Sequence, residues 1–218
     1  MKKSNIAMGL IAAFTALSSN AAIIGGSLTG GTAETAGGVF VELTAPLANP
    51  FGAANSVGAD NFQSPNLFGF DEDQSIVLSA PLTADILAGD PLVAGTMVAS
   101  HYIFFDPASA QSMTGTIEFD SEVLAVFTST NTLAASDFLA DTGINYLNPA
   151  HAGLEGPDFV TISGTNQITF SANALTPGDY IRVLTAYSPS AVPVPATLAL
   201  LALGLVGMGC FRRKNLDK

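Results

Sequence analysis

The chain predicts an all-β fold, an antiparallel β-sandwich or jelly roll, on three observations. From residue 66 onward apolar residues recur at every second position in run after run, the period of a half-buried strand. Turn pairs such as Asp106-Pro107, Gly156-Pro157 and Pro177-Gly178 separate those runs. Helical periodicity is weak throughout the middle of the chain, and many short strands with frequent turns favour a sandwich.

The elements follow in order. Val39–Leu43 is a short apolar strand inside residues 22–65, a Gly-, Ala-, Asn- and Pro-rich approach segment packed on the main domain at 66–190. Within that segment "GGSLTGG" (Gly25–Gly31) lacks the Gly-Lys and the strand–loop–helix setting of a phosphate loop, and reads as flexible. Ile76 and Leu78 oppose Ser75 and Ser79. Met97–Phe105, "MVASHYIFF", is apolar on both faces and reads as a central strand. Ile117 and Phe119 oppose Thr116, Glu118 and Asp120. Val160 and Ile162 oppose Thr161 and Ser163, and Ile168 and Phe170 oppose Gln167, Thr169 and Ser171. In "DYIRVLTAY" Ile181 and Val183 share a face. "SDFLADTG" reads as a short helix capped by Ser136 and stopped by Gly143.

Charge is distributed unevenly. The chain of 218 residues has seven basic side chains and a formal net charge of -11. Lys2 and Lys3 open it, Arg212, Arg213, Lys214 and Lys218 close it, and Arg182 stands alone between them. That middle stretch holds every carboxylate except Asp217, so it repels phosphate backbones and excludes nucleic acid as a partner. The single cysteine, Cys210, lies in the C-terminal apolar run, so the middle has neither a disulfide nor a cysteine-based metal site.

The two ends read as targeting segments. Residues 1–21 form a signal peptide: Lys2 and Lys3, the apolar stretch Ile6–Leu17, then the small-x-small site Ser19-Asn20-Ala21. Cleavage is placed after Ala21, with Ala22 the alternative. Residues 191–218 form an anchor. Pro193 and Pro195 fix an extended segment. Ala196–Phe211 carries no charged residue and approaches the length of a spanning helix. Arg212, Arg213 and Lys214 then stay in the cytoplasm by the positive-inside rule.

The tail "VPVPATLALLALGLVGMGCFRRK" resembles the PEP-CTERM sorting signal of exported proteins from Gram-negative bacteria, many of which make exopolysaccharide. Val192, Pro193, Val194 and Pro195 match its prolyl motif, with Val194 where the name-giving pattern has Glu. Ala196-Thr197-Leu198 matches the continuation and Arg212-Arg213-Lys214 the basic cluster. The resemblance implies an exosortase-type enzyme as partner, a transient single-helix anchor with a cytoplasmic C-terminus, and a final place at the cell surface or in the extracellular matrix. The stretches "NLFGFDEDQ", "ASHYIFFDP", "NTLAASDFLA" and "GDYIRVLTAYSP" resemble uncharacterised β-rich domains ahead of such tails, and that resemblance supplies no catalytic residue.

Chemistry in the middle domain is sparse. His101 and His151 are the only histidines. His101 alternates onto the face of Met97, Ala99, Ile103 and Phe105 and reads as a hydrogen-bonded core residue. His151 lies in a loop-like stretch, and two histidines without zinc spacing give no metal site. No G-x-S-x-G elbow supports a serine hydrolase. Asp71, Asp73 and Ser75 fall at alternate positions of a calcium-loop pattern, but Ile76 replaces its glycine and no glutamate closes it. They read as a solvated turn, and no cofactor is expected. Arg182 reads as a structural partner of an acid rather than a bidentate clamp for a carboxylate ligand. The sequence therefore predicts a non-enzymatic exported surface or matrix protein. The alternatives are a carbohydrate-binding module for an exopolysaccharide, weakened by the absence of Trp, and a secreted hydrolase.

Overall fold

The computed structural model describes residues 21–175 and 177–187. In chain order the elements begin with β1 (Ile23–Gly30), α1 (Thr32–Thr35), β2 (Phe40–Glu42), β3 (Ser56–Val57), β4 (Leu67–Asp71), β5 (Ile76–Val77) and β6 (Ile86–Leu87). They continue with β7 (Met97–Phe105), β8 (Gln111–Phe119), β9 (Val123–Phe127), α2 (Thr130–Ala135), β10 (Asn145–Tyr146), β11 (Phe159–Gly164), β12 (Gln167–Ala174) and β13 (Asp179–Ala186). Short 3-10 turns cover Asp137–Leu139 and Pro149–His151.

Two open sheets carry the domain. The smaller has four strands in the order β1-β8-β12-β11. The larger has seven: β2-β4-β7-β13-β9-β6, with β5 also on β7. Pairing is antiparallel except between β2 and β4 and in the small β10–β3 pair. The all-β reading is correct, and neither sheet closes on itself.

The smaller sheet shows the expected alternation because only one of its faces is covered. Met113, Ile117 and Phe119 of β8 and Ile168, Phe170 and Ala172 of β12 point inward. They meet Leu67, Ile103, Phe105, Val126, Ile181 and Val183 of the larger sheet, and this first core holds the sheets together. The larger sheet is covered on its other face too. There Phe68, Phe70, Tyr102, Phe104, Phe127, Tyr180 and Leu184 pack under Leu47, Val57 and Phe62 of the long loop and Leu133, Leu139 and Ile144 near α2. Strands β7 and β13 are therefore buried on both faces. For β7 the sequence says so. For β13 the two faces differ in chemistry, and the polar Arg182 conceals the second.

Two expectations need correction. "GGSLTGG" is not flexible: it lies in β1 and the turn after it, with Ser27 opposite Thr116 and Leu28 opposite Gly115. Its glycines let neighbours approach, for a Cβ on Gly26 would lie 2.7 Å from the Phe40 ring. Ser136 does stand at the start of a helical turn, the 3-10 turn Asp137–Leu139, but its side chain makes no capping bond there and the turn ends well before Gly143. The helix is α2, one turn earlier, where the Ser129 side chain accepts from the Thr132 N–H. Below that cap, the Asp85 carboxylate accepts the N–H groups of Thr128 and Ser129 and the hydroxyls of Ser129 and Thr132. Ser136 also closes α2 and donates its hydroxyl to the Leu133 carbonyl.

Candidate functional site

The most ordered polar group lies in the second core, around the lone basic side chain of the domain. Arg182 of β13 and Glu72, just past β4, are 1% and 0% exposed as side chains. Nε donates to Glu72 Oε2 at 2.7 Å and Nη2 to Oε1 at 3.0 Å, a fork-to-carboxylate pair. Ser100 donates to Oε2 at 2.7 Å and Tyr146 to Oε1 at 2.6 Å. Nη1 donates to Ser136 Oγ, the Leu133 carbonyl and Asp137 Oδ1, and the guanidinium lies 5.6 Å from the Tyr102 ring centre. Burial works against the charge on Arg182, but the Glu72 carboxylate outweighs it and holds the guanidinium above its ordinary pKa. Burial also pushes the Tyr102 and Tyr146 hydroxyls up, so both stay protonated donors.

Glu72 reaches this site because the strand breaks there. β4 and β5 both pair with β7, and between them Glu72 N–H donates to the Ser100 carbonyl and Ser100 N–H to that of Asp73. Phe68, Phe70 and Glu72 thus fall on one face at strand period. Beside the pair is a cavity of about 310 Å³ whose walls include Tyr102, Leu133, Asp137, Asp141, Ile144 and Tyr146. Arg182 touches it with both edges of its fork engaged, as the structural reading requires.

His101 of β7 points into the first core. Its Nδ1 lies 2.7 Å from Asp71 Oδ1 and its Nε2 2.9 Å from Thr185 Oγ1. The connectivity is that of a hydroxyl–imidazole–carboxylate relay. Access is not: His101 and Thr185 are both 0% exposed, and the imidazole packs 4.9 Å from the Phe119 ring. The relay ties β4, β7 and β13 together. Asp71 also accepts the Ile23 N–H, which brings β1 into the same group. The calcium-like triplet is dispersed, with Asp71 in this relay and Ser75 at a positive φ beyond the break. Among the described residues no group of three or more acidic, His or Cys side chains is placed to hold a metal. His151 lies in the 3-10 turn Pro149–His151, away from the relay's hydrogen bonds.

Two further buried acids shape the response to pH. Burial, reinforced by Asp158 and Glu155, raises the Asp179 carboxyl to about 7. Burial, reinforced by Asp60, raises Asp106 to about 6, although it accepts the Phe62 N–H. Both folded values exceed the unfolded one. Their contribution is therefore complete below about pH 4 and is lost as pH rises through about 6 and 7. Asp85 has the opposite sign. Its partial burial opposes ionisation, yet four hydrogen bonds hold its carboxyl below the usual range, and its contribution is lost as pH falls through that value. Thermal melts should place the stability maximum in mild acid. Asp179→Asn should raise the melting temperature at pH 8 by a few degrees, the shift about 1 kcal/mol produces in a domain of this size. The gain should vanish near pH 4, and an equal gain at both pH values would rule out titration as its cause.

Ala21 lies two residues before the start of β1. The residues of the predicted sorting motif and basic cluster, Val192, Pro193, Val194, Pro195, Arg212, Arg213 and Lys214, lie outside the described residues. So do the predicted helix Ala196–Phe211 and the signal peptide's Lys2 and Lys3. Among the described residues no helix is long and apolar enough to cross a membrane. No curated protein and no solved structure matches the chain. Residues 191–214 match the family model of the PEP-CTERM protein-sorting motif. The chain carries a PEP-CTERM sorting signal directly after its β domain, which makes it an exported protein with an exosortase-type sorting partner.

Proposed function

We propose that the chain is a non-enzymatic surface or matrix protein whose β domain is the delivered cargo. A signal peptide carries it through the inner membrane. Ala196–Phe211 holds it there transiently with Arg212–Lys214 in the cytoplasm, and the exosortase-type enzyme cuts near Pro193–Pro195. The observation that carries this reading is the order of parts: β13 ends at Ala186 and the sorting match begins at residue 191. The buried relay at His101 and the saturated fork of Arg182 support a structural cargo, since each polar group engages protein rather than an open cleft.

The test compares the wild-type chain with a Pro193→Ala/Pro195→Ala chain in hosts with and without the sorting enzyme. Wild type should be shortened and leave the membrane only where the enzyme is present. The double variant should accumulate at full length in the membrane in both hosts. Wild type that stays full length and membrane-bound in both would reduce the tail to an anchor. A carbohydrate-binding role is the second reading, favoured by the partly exposed Tyr146 and the acidic rim of the cavity beside Arg182. Titration of the host's polysaccharide into the protein should then lose its binding signal on Asp137→Ala/Asp141→Ala substitution.

A further inference from the structure

The structure places a carboxylate at the point where the signal peptide is expected to be cut. Ala22 N–H donates to Asp120 Oδ1 at 3.0 Å, and Asp120 N–H donates back to the Ala22 carbonyl at 3.0 Å. Asp120 belongs to the β8–β9 turn, where the Ser121 hydroxyl donates to the same Oδ1. We propose that cleavage after Ala21 converts this contact into an ion pair, with the new α-ammonium of Ala22 seated on Asp120 and clamping the edge strand β1. The inference rests on the export reading.

The chemistry is hydrolysis. The Ala21 carbonyl takes the oxygen of water and leaves as a carboxylate. Both protons of the water end on the Ala22 nitrogen, whose own amide hydrogen completes –NH3+. Geometry separates the two cleavage positions that the sequence leaves open. A cut after Ala22 would instead put the ammonium on Ile23. That nitrogen faces Asp71 Oδ1 at 3.1 Å, which His101 already engages, and the Ile23 side chain is 2% exposed. A charge there loses solvent, whereas Asp120 is exposed and its ion pair forms with little desolvation. The charged and titratable groups around Ala22 are Asp120 in the turn, Glu118 on β8, Asp71 on β4 and, behind it, His101 on β7. Arg182 points to the opposite face of the larger sheet. The α-ammonium thus brings the one positive charge to an acidic corner.

Sequence composition makes the test clean, because no lysine lies between Lys3 and Lys214. The full-length gene is expressed in an exporting bacterium, and the processed protein is purified and its first residue sequenced. Acylation of the α-amine is then followed against pH by peptide mass spectrometry, in the folded protein and in urea, for wild type and Asp120→Asn. The expected start is Ala22. The folded wild-type amine should react about two- to threefold more slowly at pH 7 than the unfolded one, the size an exposed ion pair supports. Asp120→Asn should remove the difference. A start at Ile23, equal reactivity in folded and unfolded wild type, or an unchanged Asp120→Asn profile would each overturn the ion pair. A start at Met1 would overturn the export reading as well, whereas an Ala22 start with an unshifted amine defeats the ion pair alone.

Discussion

A Glu72→Ala chain should unfold far below the wild type, losing about 3–5 kcal/mol, the usual cost of stranding one member of a buried ion pair. The loss would be a large share of the 5–15 kcal/mol that holds a typical domain together. The reason lies in the partners left behind. Arg182, 1% exposed, would keep only its 3.3 Å contact to the largely exposed Asp137 as a counter-charge, and the hydroxyls of Ser100 and Tyr146 would lose their acceptor. Replacing both members, as Glu72→Leu with Arg182→Met, should recover most of the loss, because neither charge is then desolvated. Urea melts of Glu72→Leu, Arg182→Met and the double variant carrying both form a cycle that isolates the coupling. A Glu72→Ala loss below about 1 kcal/mol, the range of exposed pairs, would show that water reaches the pair.

Phe104→Ala should have a similar effect, about 3–5 kcal/mol, for a different reason. Phe104 is 0% exposed, and its ring centre lies 4.8 Å from that of Phe62, 5.1 Å from Phe68 and 5.8 Å from Tyr180. Removing it opens a hole between the larger sheet and the long loop that carries Phe62. Phe51→Ala is the control, since Phe51 is 63% exposed and should change stability by no more than about 0.5 kcal/mol. Equal effects from the two substitutions would mean that the loop does not pack on the sheet.

What could be read from the residues depended on how many faces each strand buries. β8, β11 and β12 have one solvated face, and their alternation was plain. β7 is apolar on both sides and announced itself as central. β9, "VLAVF", also lacks alternation, but five residues of that kind do not separate a buried strand from any short apolar run. β1 was hidden by its glycines, whose absent side chains remove the very pattern that identifies a strand. At the polar site the calcium-like spacing drew the eye to Asp71, Asp73 and Ser75 and past Glu72, the acid that is buried. The missed signal was the step from Phe68 through Phe70 to Glu72, together with a lone cation two residues after Tyr180 that needed an acidic partner. Ser136 marks a helix end in both directions, closing α2 and preceding the 3-10 turn Asp137–Leu139, and Thr130–Ala135 is too short for the spacing of its apolar residues to reveal the helix before it.

The place of β13 has a consequence for how the protein is made. It is the last strand among the described residues, yet it lies between β7 and β9 in the larger sheet. Until it arrives, β2-β4-β7 and β9-β6 are separate fragments with no hydrogen bonds between β7 and β9. The larger sheet therefore cannot be completed until residue 186 is available. The four-stranded sheet has all its strands by Ala174, yet the core between the two sheets waits as well, because Ile181 and Val183 of β13 form part of it. Completion of the fold thus depends on residues that lie only a few positions before the sorting match at 191–214. Moving β13 to the front of the chain by circular permutation would remove that dependence and leave the strand order of both sheets unchanged.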